Sequence, residues 1–155
     1  MVIKGALTEK EYVLSQFLYL RPKRIFSIIG AIIFLLFIAT IIYTPSIYSL
    51  GVLAYLLGYL FIFIPWNARK IFRQYKAVSA PFSLEAQEQG LFFKRINAEA
   101  LVPWDEILKW KRSETMLLLY PASNLYYVVA HTFFDNQSDF LEFQEELKKR
   151  VGKAI

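Results

Sequence analysis

Few side chains in this sequence are placed to do covalent chemistry. His131 is the only histidine and cysteine is absent, so a two-histidine site, a thiolate metal site and a cysteine nucleophile are all excluded. A lone histidine of this kind is expected at a loop edge or half buried. The adjacent acids Asp105-Glu106 and Glu145-Glu146 resemble the paired carboxylates of acid–base catalysis, but neighbours along a strand or helix point apart, and these read as solvated faces. No Gly-x-Ser-x-Gly turn, Gly-x-Gly-x-x-Gly loop or Walker pattern occurs. The expectation is a protein without catalytic, cofactor-binding or metal-binding residues, and not an enzyme. Trp104 and Trp110 are expected in the core. Trp110, lying between Lys109 and Lys111, is also, with His131, a candidate for an interaction surface.

The elements around these residues are dominated by one feature. From residue 25 to 68 no ionisable side chain except tyrosine occurs, and Thr44-Pro45-Ser46 divides the run. A helix of roughly twenty residues matches the ~30 Å hydrocarbon thickness of a bilayer, so 25–43 and 47–66 are each expected to cross it. The three-residue connection allows only an antiparallel hairpin. The first run is too long for a signal-peptide core and is expected to be retained.

Basic residues crowd the ends of this hairpin. Arg21, Lys23 and Arg24 precede it; Arg69, Lys70, Arg73 and Lys76 follow it; the turn carries no charge. Positive flanks stay on the cytoplasmic side, which predicts an inner-membrane protein with two spans and both termini in the cytoplasm. From residue 77 onward there are nine Lys and Arg against eleven Asp and Glu, so the overall +5 comes from the membrane flanks. A basic domain surface of the kind that binds phosphate backbones is therefore not expected, nor is nucleic-acid binding. Within the second span, Gly51, Ala54 and Gly58 form a shallow groove, read as packing against the first span or, alternatively, as a face for a homo-oligomer.

The flanks also carry helical patterns. Thr8 with Glu11 reads as a capping box, and Tyr12, Leu14, Phe17, Leu18 and Leu20 supply an apolar side, so 1–24 is expected to contain an amphipathic helix lying on the membrane surface. Residues 66–76 are read as a second interfacial helix inside a basic juxtamembrane linker, 67–80. Beyond residue 78 the period becomes two. Strands are predicted at 82–86, 91–96, 100–102, 107–113, 116–120 and 125–130, the first two joined by Glu88-Gln89-Gly90 with the glycine free to take a positive φ. A helix follows, capped by Asp135, Asn136 or Ser138, with Phe140, Phe143, Leu147 and Val151 on one face and Gly152 at its end; Glu145 with Lys149 and Glu146 with Arg150 are expected surface pairs. The fold class is thus α+β: a transmembrane helical hairpin, then a small curved antiparallel sheet or partial barrel over 81–155 closed by a C-terminal helix.

This order of features, with Leu7-Thr8-Glu9 near the start, the step Trp104-Asp105-Glu106-Ile107, an aromatic strand and a Phe-rich final helix, resembles the YcxB-like family of bacterial membrane proteins. The resemblance implies a pleckstrin-homology-like domain facing the cytoplasm. Where that family often carries a Pro-Lys-Arg-like step, this chain has Ala130-His131-Thr132. Anion contact at that corner is therefore not carried over, and only His131 offers a pH-dependent charge there. The expected partners are the lipid bilayer and another protein, in a non-enzymatic interaction or scaffold role. The alternative is an immunity protein that neutralises a toxin acting at the membrane or just inside it.

Overall fold

The computed structural model describes every residue except 1, 23, 45, 96 and 97, and of the remaining residues every side chain except those of 24, 25, 76 and 77. Pro45, the expected turn residue, and Ile96, the expected end of a strand, lie outside the described residues. The elements in order are β1 (Val2–Gly5), α1 (Glu9–Leu20), α2 (Arg24–Tyr43), α3 (Ile47–Gly58), a π-helical turn (Tyr59–Phe63), α4 (Ile64–Gln74), α5 (Lys76–Ser79), then β2 (Phe82–Ala86), β3 (Gly90–Arg95), β4 (Ala98–Pro103), β5 (Lys109–Arg112), β6 (Met116–Ala122), β7 (Leu125–Ala130) and α6 (Gln137–Arg150).

Two helices are long and apolar enough to cross a membrane. The first covers Phe26–Tyr43; the second runs 28 residues, Ile47–Gln74, through α3, the π turn and α4. The span expected over 47–66 and the helix expected over 66–76 run on as one helix as far as Gln74. Pro65 lacks an N–H and its ring would crowd the carbonyl four residues back, and the helix absorbs this by widening to a π turn in which Ile64 N–H reaches Tyr59 O.

The strands form two antiparallel sheets, β1-β2-β3-β4 and β5-β6-β7, with no closed barrel. The single curved sheet expected from the strand pattern is corrected here. After Pro103 the chain enters a 3-10 turn at Trp104–Glu106, and Trp104 Nε1 donates to Gln87 O at 3.1 Å, which turns β5 away from β4. β1 was not anticipated. It pairs antiparallel with β2, Ile3 opposite Leu84, and so sews the N-terminus onto the soluble sheet across the whole apolar hairpin.

Strand β6 explains the layering. Its run Met116-Leu117-Leu118-Leu119-Tyr120 is buried throughout, as an uninterrupted apolar strand must be when both faces are covered. Leu117 and Leu119 join the main core with Ile3, Leu84, Leu91, Trp110, Phe140, Phe143 and Leu147. Met116, Leu118 and Tyr120 face the other way and meet Leu18 of α1. The expectation that α1 lies on the membrane surface is therefore corrected: it packs between α4 and the three-stranded sheet, because the outer face of β6 needs a cover. Its capping box is present, with Thr8 N–H donating to Glu11 Oε2 at 2.9 Å and Thr8 Oγ1 accepting from Glu11 N–H at 3.3 Å.

Two glycines have defined roles. Gly90 has no positive φ; among the described residues only Gly152 does. A Cβ on Gly90 would stand 2.7 Å from Pro103 Cα, so close approach of β3 to β4 is what requires glycine there. Gly152, at φ 107, ends α6 as the sequence pattern predicts. Asn136 is the residue that caps α6, accepting from Asp139 N–H at 2.9 Å.

Candidate functional site

The basic flanks do not act as one set. Arg73 and Arg69 turn inward along α4 to Glu9 at the start of α1, with N–O distances of 2.9 and 3.6 Å. Hydrogen bonding from Arg73, partly opposed by burial, holds the Glu9 carboxyl below its ordinary value. Lys70 lies over the Trp66 ring, 5.6 Å from its centroid. Lys23 lies outside the described residues; Arg24 opens α2 and Lys76 opens α5. Arg21, at the end of α1, alone among these residues lines a cleft in the soluble domain.

The small-residue groove is not filled from within. Among the described residues, no heavy atom beyond the adjoining residues and the backbone of the same helix lies within 4 Å of a Cβ built on Gly51 or Gly58, and Ala54 is exposed. Packing of the first span into this groove is thus corrected. Trp110 is also corrected as an interaction residue: it is 2 % exposed, and its Nε1 donates to Gly152 O at 2.7 Å. Alternation along β5 points the indole into the core and leaves its lysine neighbours outside. His131 is half buried, with its ring edge-on to Phe140 at 5.2 Å, and its Nε2 is buried without a hydrogen-bond partner among the described residues. The expected pairs Glu145–Lys149 and Glu146–Arg150 give way to Lys148–Glu145 at 3.0 Å and to Arg150 over the Trp104 ring.

The structure instead gathers a cluster that no local pattern announces. The C-terminal end of α1, strand β5, the C-terminal half of α6 and the tail after Gly152 enclose an open cleft of about 830 Å³. Arg21, Lys109, Lys111, Arg112, Lys148 and Lys153 line it, against one acidic side chain, Glu145. The tail is held in place because Ile155 N–H donates to Trp110 O at 3.0 Å. Lys111 is the pivot. Its Nζ donates to Tyr19 O and Arg21 O at 2.7 Å each and to Leu18 O at 3.4 Å, closing the open carbonyl end of α1. Burial, with Lys109 and Arg21 nearby, pushes the Lys111 ammonium below its ordinary pKa. Lys109 Nζ lies over the Tyr120 ring at 5.0 Å. Among the described residues, none of Arg21, Arg112 and Lys153 has a carboxylate partner.

A second, apolar cleft of about 480 Å³ adjoins the first. It shares Leu18, Leu20 and Arg21 with it and adds Leu60 from the second apolar helix and Met116 from β6. The sequence signal for the cationic cleft was the run Lys109-Trp110-Lys111-Arg112, in which Lys109 and Lys111 take the face of β5 turned to α1 and Arg112 the face of Trp110. Its significance depended on which helix ends lie opposite.

Among the described residues no group of three His, Cys, Asp or Glu could hold a metal ion. No curated protein and no solved structure matches the chain. Residues 87–147, from the turn before β3 to Leu147 in α6, match the model of the YcxB-like protein family, so the resemblance carried by the Trp104 step and the Phe-rich final helix holds over that segment.

Proposed function

We propose that this protein is an inner-membrane-anchored interaction module in which a pleckstrin-homology-like domain is held against the cytoplasmic face and engages another protein without catalysing a reaction. The observation that carries this reading is the clamp between α1 and α4. α1 leads into the first apolar helix and α4 continues the second, and the two pack together, with Tyr12 against Phe72 at 5.8 Å and Ala68 buried between them. Both outer ends of the apolar helices thus lie on one side, as a hairpin inserted from that side requires. The basic flanks support the reading of that side as cytoplasmic. Apolar helices with no part of their windows buried in the protein are stable only when lipid covers them.

The clamp also supports a scaffold role. It fixes how the domain is presented, since α1 lies on β6 and β7 while α4 grows from the span. The surface offered is the free edge of β4, where Ala98 to Leu101 are exposed, and an extended segment of a partner protein would extend the four-stranded sheet there. The test is a photocrosslinking amino acid at position 101 of the full chain, activated in intact membranes. One discrete adduct, absent when the crosslinker sits at Leu141 on α6, is the expected result. No adduct, or the same adducts at both positions, would overturn the reading. Recovery of the chain in the supernatant after high-speed centrifugation without detergent would overturn the membrane placement itself.

A further inference from the structure

We propose that the cleft between α1, β5 and the α6 tail binds the phosphate-bearing headgroup of an anionic membrane phospholipid, with an acyl chain entering the adjoining apolar cleft. This rests on the two apolar helices spanning the bilayer. Three observations converge on it.

Charge comes first. Six cations face one acidic side chain, and that one, Glu145, is already held by Lys148. The segment after residue 77 carries more acids than bases, so this concentration is a local arrangement and not a reflection of overall composition. Lys111 is depressed chiefly by burial, with Lys109 and Arg21 adding repulsion, and a phosphate would offset both while accepting several charge-assisted hydrogen bonds.

Place comes second. Arg21 stands five residues before Phe26, where the first apolar window begins. The cleft therefore opens at headgroup level once the helix enters the hydrocarbon, within the short range over which anionic leaflets attract basic residues.

Shape comes third. The volume, about 830 Å³, suits a glycerophosphate headgroup. The apolar cleft continues from it past Leu18 and Leu20 to Leu60. A cationic chamber joined to an apolar one that reaches a spanning helix matches an amphiphile, whereas a soluble phosphate ester would leave the apolar cleft unused.

The test uses the full chain reconstituted in nanodiscs of equal parts phosphatidylcholine and phosphatidylglycerol, with co-elution as the measure of insertion and native mass spectrometry as the measure of retained lipid. Preferential retention of phosphatidylglycerol is expected. The double variant Arg112→Gln/Lys153→Gln should lower it about tenfold, each cation near the surface contributing a few-fold. Neither side chain is paired, so the variant should keep its melting temperature. The same charge change at Lys4→Gln/Lys94→Gln, on the four-stranded sheet, should leave retention unchanged. Equal retention of both lipids by an inserted protein, or an equal loss in the control variant, overturns the proposal while leaving the membrane reading intact. Displacement of the lipid by glycerol 3-phosphate at matching concentration overturns the lipid assignment in favour of a soluble ester. Failure to insert overturns the membrane reading on which the proposal stands.

Discussion

Arg73 grips Glu9 with two prongs, Nε at 2.9 Å from Oε2 and Nη2 at 3.2 Å from Oε1, so the last turns of the second apolar helix are tied to the first turn of α1. Arg73 is exposed and Glu9 only half-buried, and the pair governs orientation more than stability. Arg73→Gln should broaden the distance distribution between spin labels on α6 and at Thr44 without shifting the unfolding midpoint. Glu9 is held below its ordinary 4.5, so the tie is intact above that pH and weakens as pH falls through the depressed value. The same broadening should therefore appear in the native protein on acidification.

Lys111 has the larger stability effect. Lys111→Met leaves the carbonyls of Leu18, Tyr19 and Arg21 without their shared donor, at a cost of about 1–3 kcal/mol in denaturant unfolding. Lys111→Arg should recover part of it, since a guanidinium still donates to carbonyl oxygens.

The glycines separate by their surroundings. Gly90→Ala places a Cβ against the backbone of Val102 and Pro103, which cannot yield as a side chain would, and should cost about 1–3 kcal/mol. Gly51→Ala meets open space and should leave the melting temperature of the detergent-solubilised protein unchanged or raise it.

Tyr120 predicts an alkaline limit. Burial, with Tyr126 and Tyr19 adding to it, pushes its phenol from 10 up to about 12. Because the unfolded chain ionises first, stability from this group is constant below pH 10 and declines between 10 and 12, by about 3 kcal/mol in full. The hydroxyl has no hydrogen-bond partner among the described residues, so Tyr120→Phe should leave neutral-pH stability unchanged or improve it and should flatten the decline, as read from urea midpoints across that range.

Glu11 acts in acid. Burial pushes its carboxyl up, but hydrogen bonds from Thr132 Oγ1, the Thr8 N–H and Thr8 Oγ1 outweigh it and leave the group below 4.5. Its contribution is complete above that pH and is lost as pH falls through the lowered value. Thr132→Val should raise the acid unfolding midpoint.

Local periods are legible in the sequence, whereas what covers an apolar face is not. Strand β2 follows from period-two alternation, β3 from its return after the turn residues, β4 to β7 from short runs separated by turn residues, and α6 from its Phe140, Phe143 and Leu147 spacing and its caps. β1 was missed because Val2–Gly5 is four residues long, and nothing nearby indicates that its partner lies beyond the apolar hairpin. The membrane-surface reading of α1 failed because an amphipathic face does not state what covers it. The all-apolar β6 held the answer, since a strand buried on both faces needs a second cover.

The sequence by itself determined the two apolar helices, the strand and helix periods and the basic flanks, since length, hydropathy and side-chain spacing are properties of neighbours along the chain. Only the tertiary structure decided that the strands split into two sheets, that α1 caps the outer face of β6, and that Arg21, Lys111 and Lys153 meet in one cleft. Those outcomes depend on pairing and packing between segments far apart in sequence, where no local period carries the information.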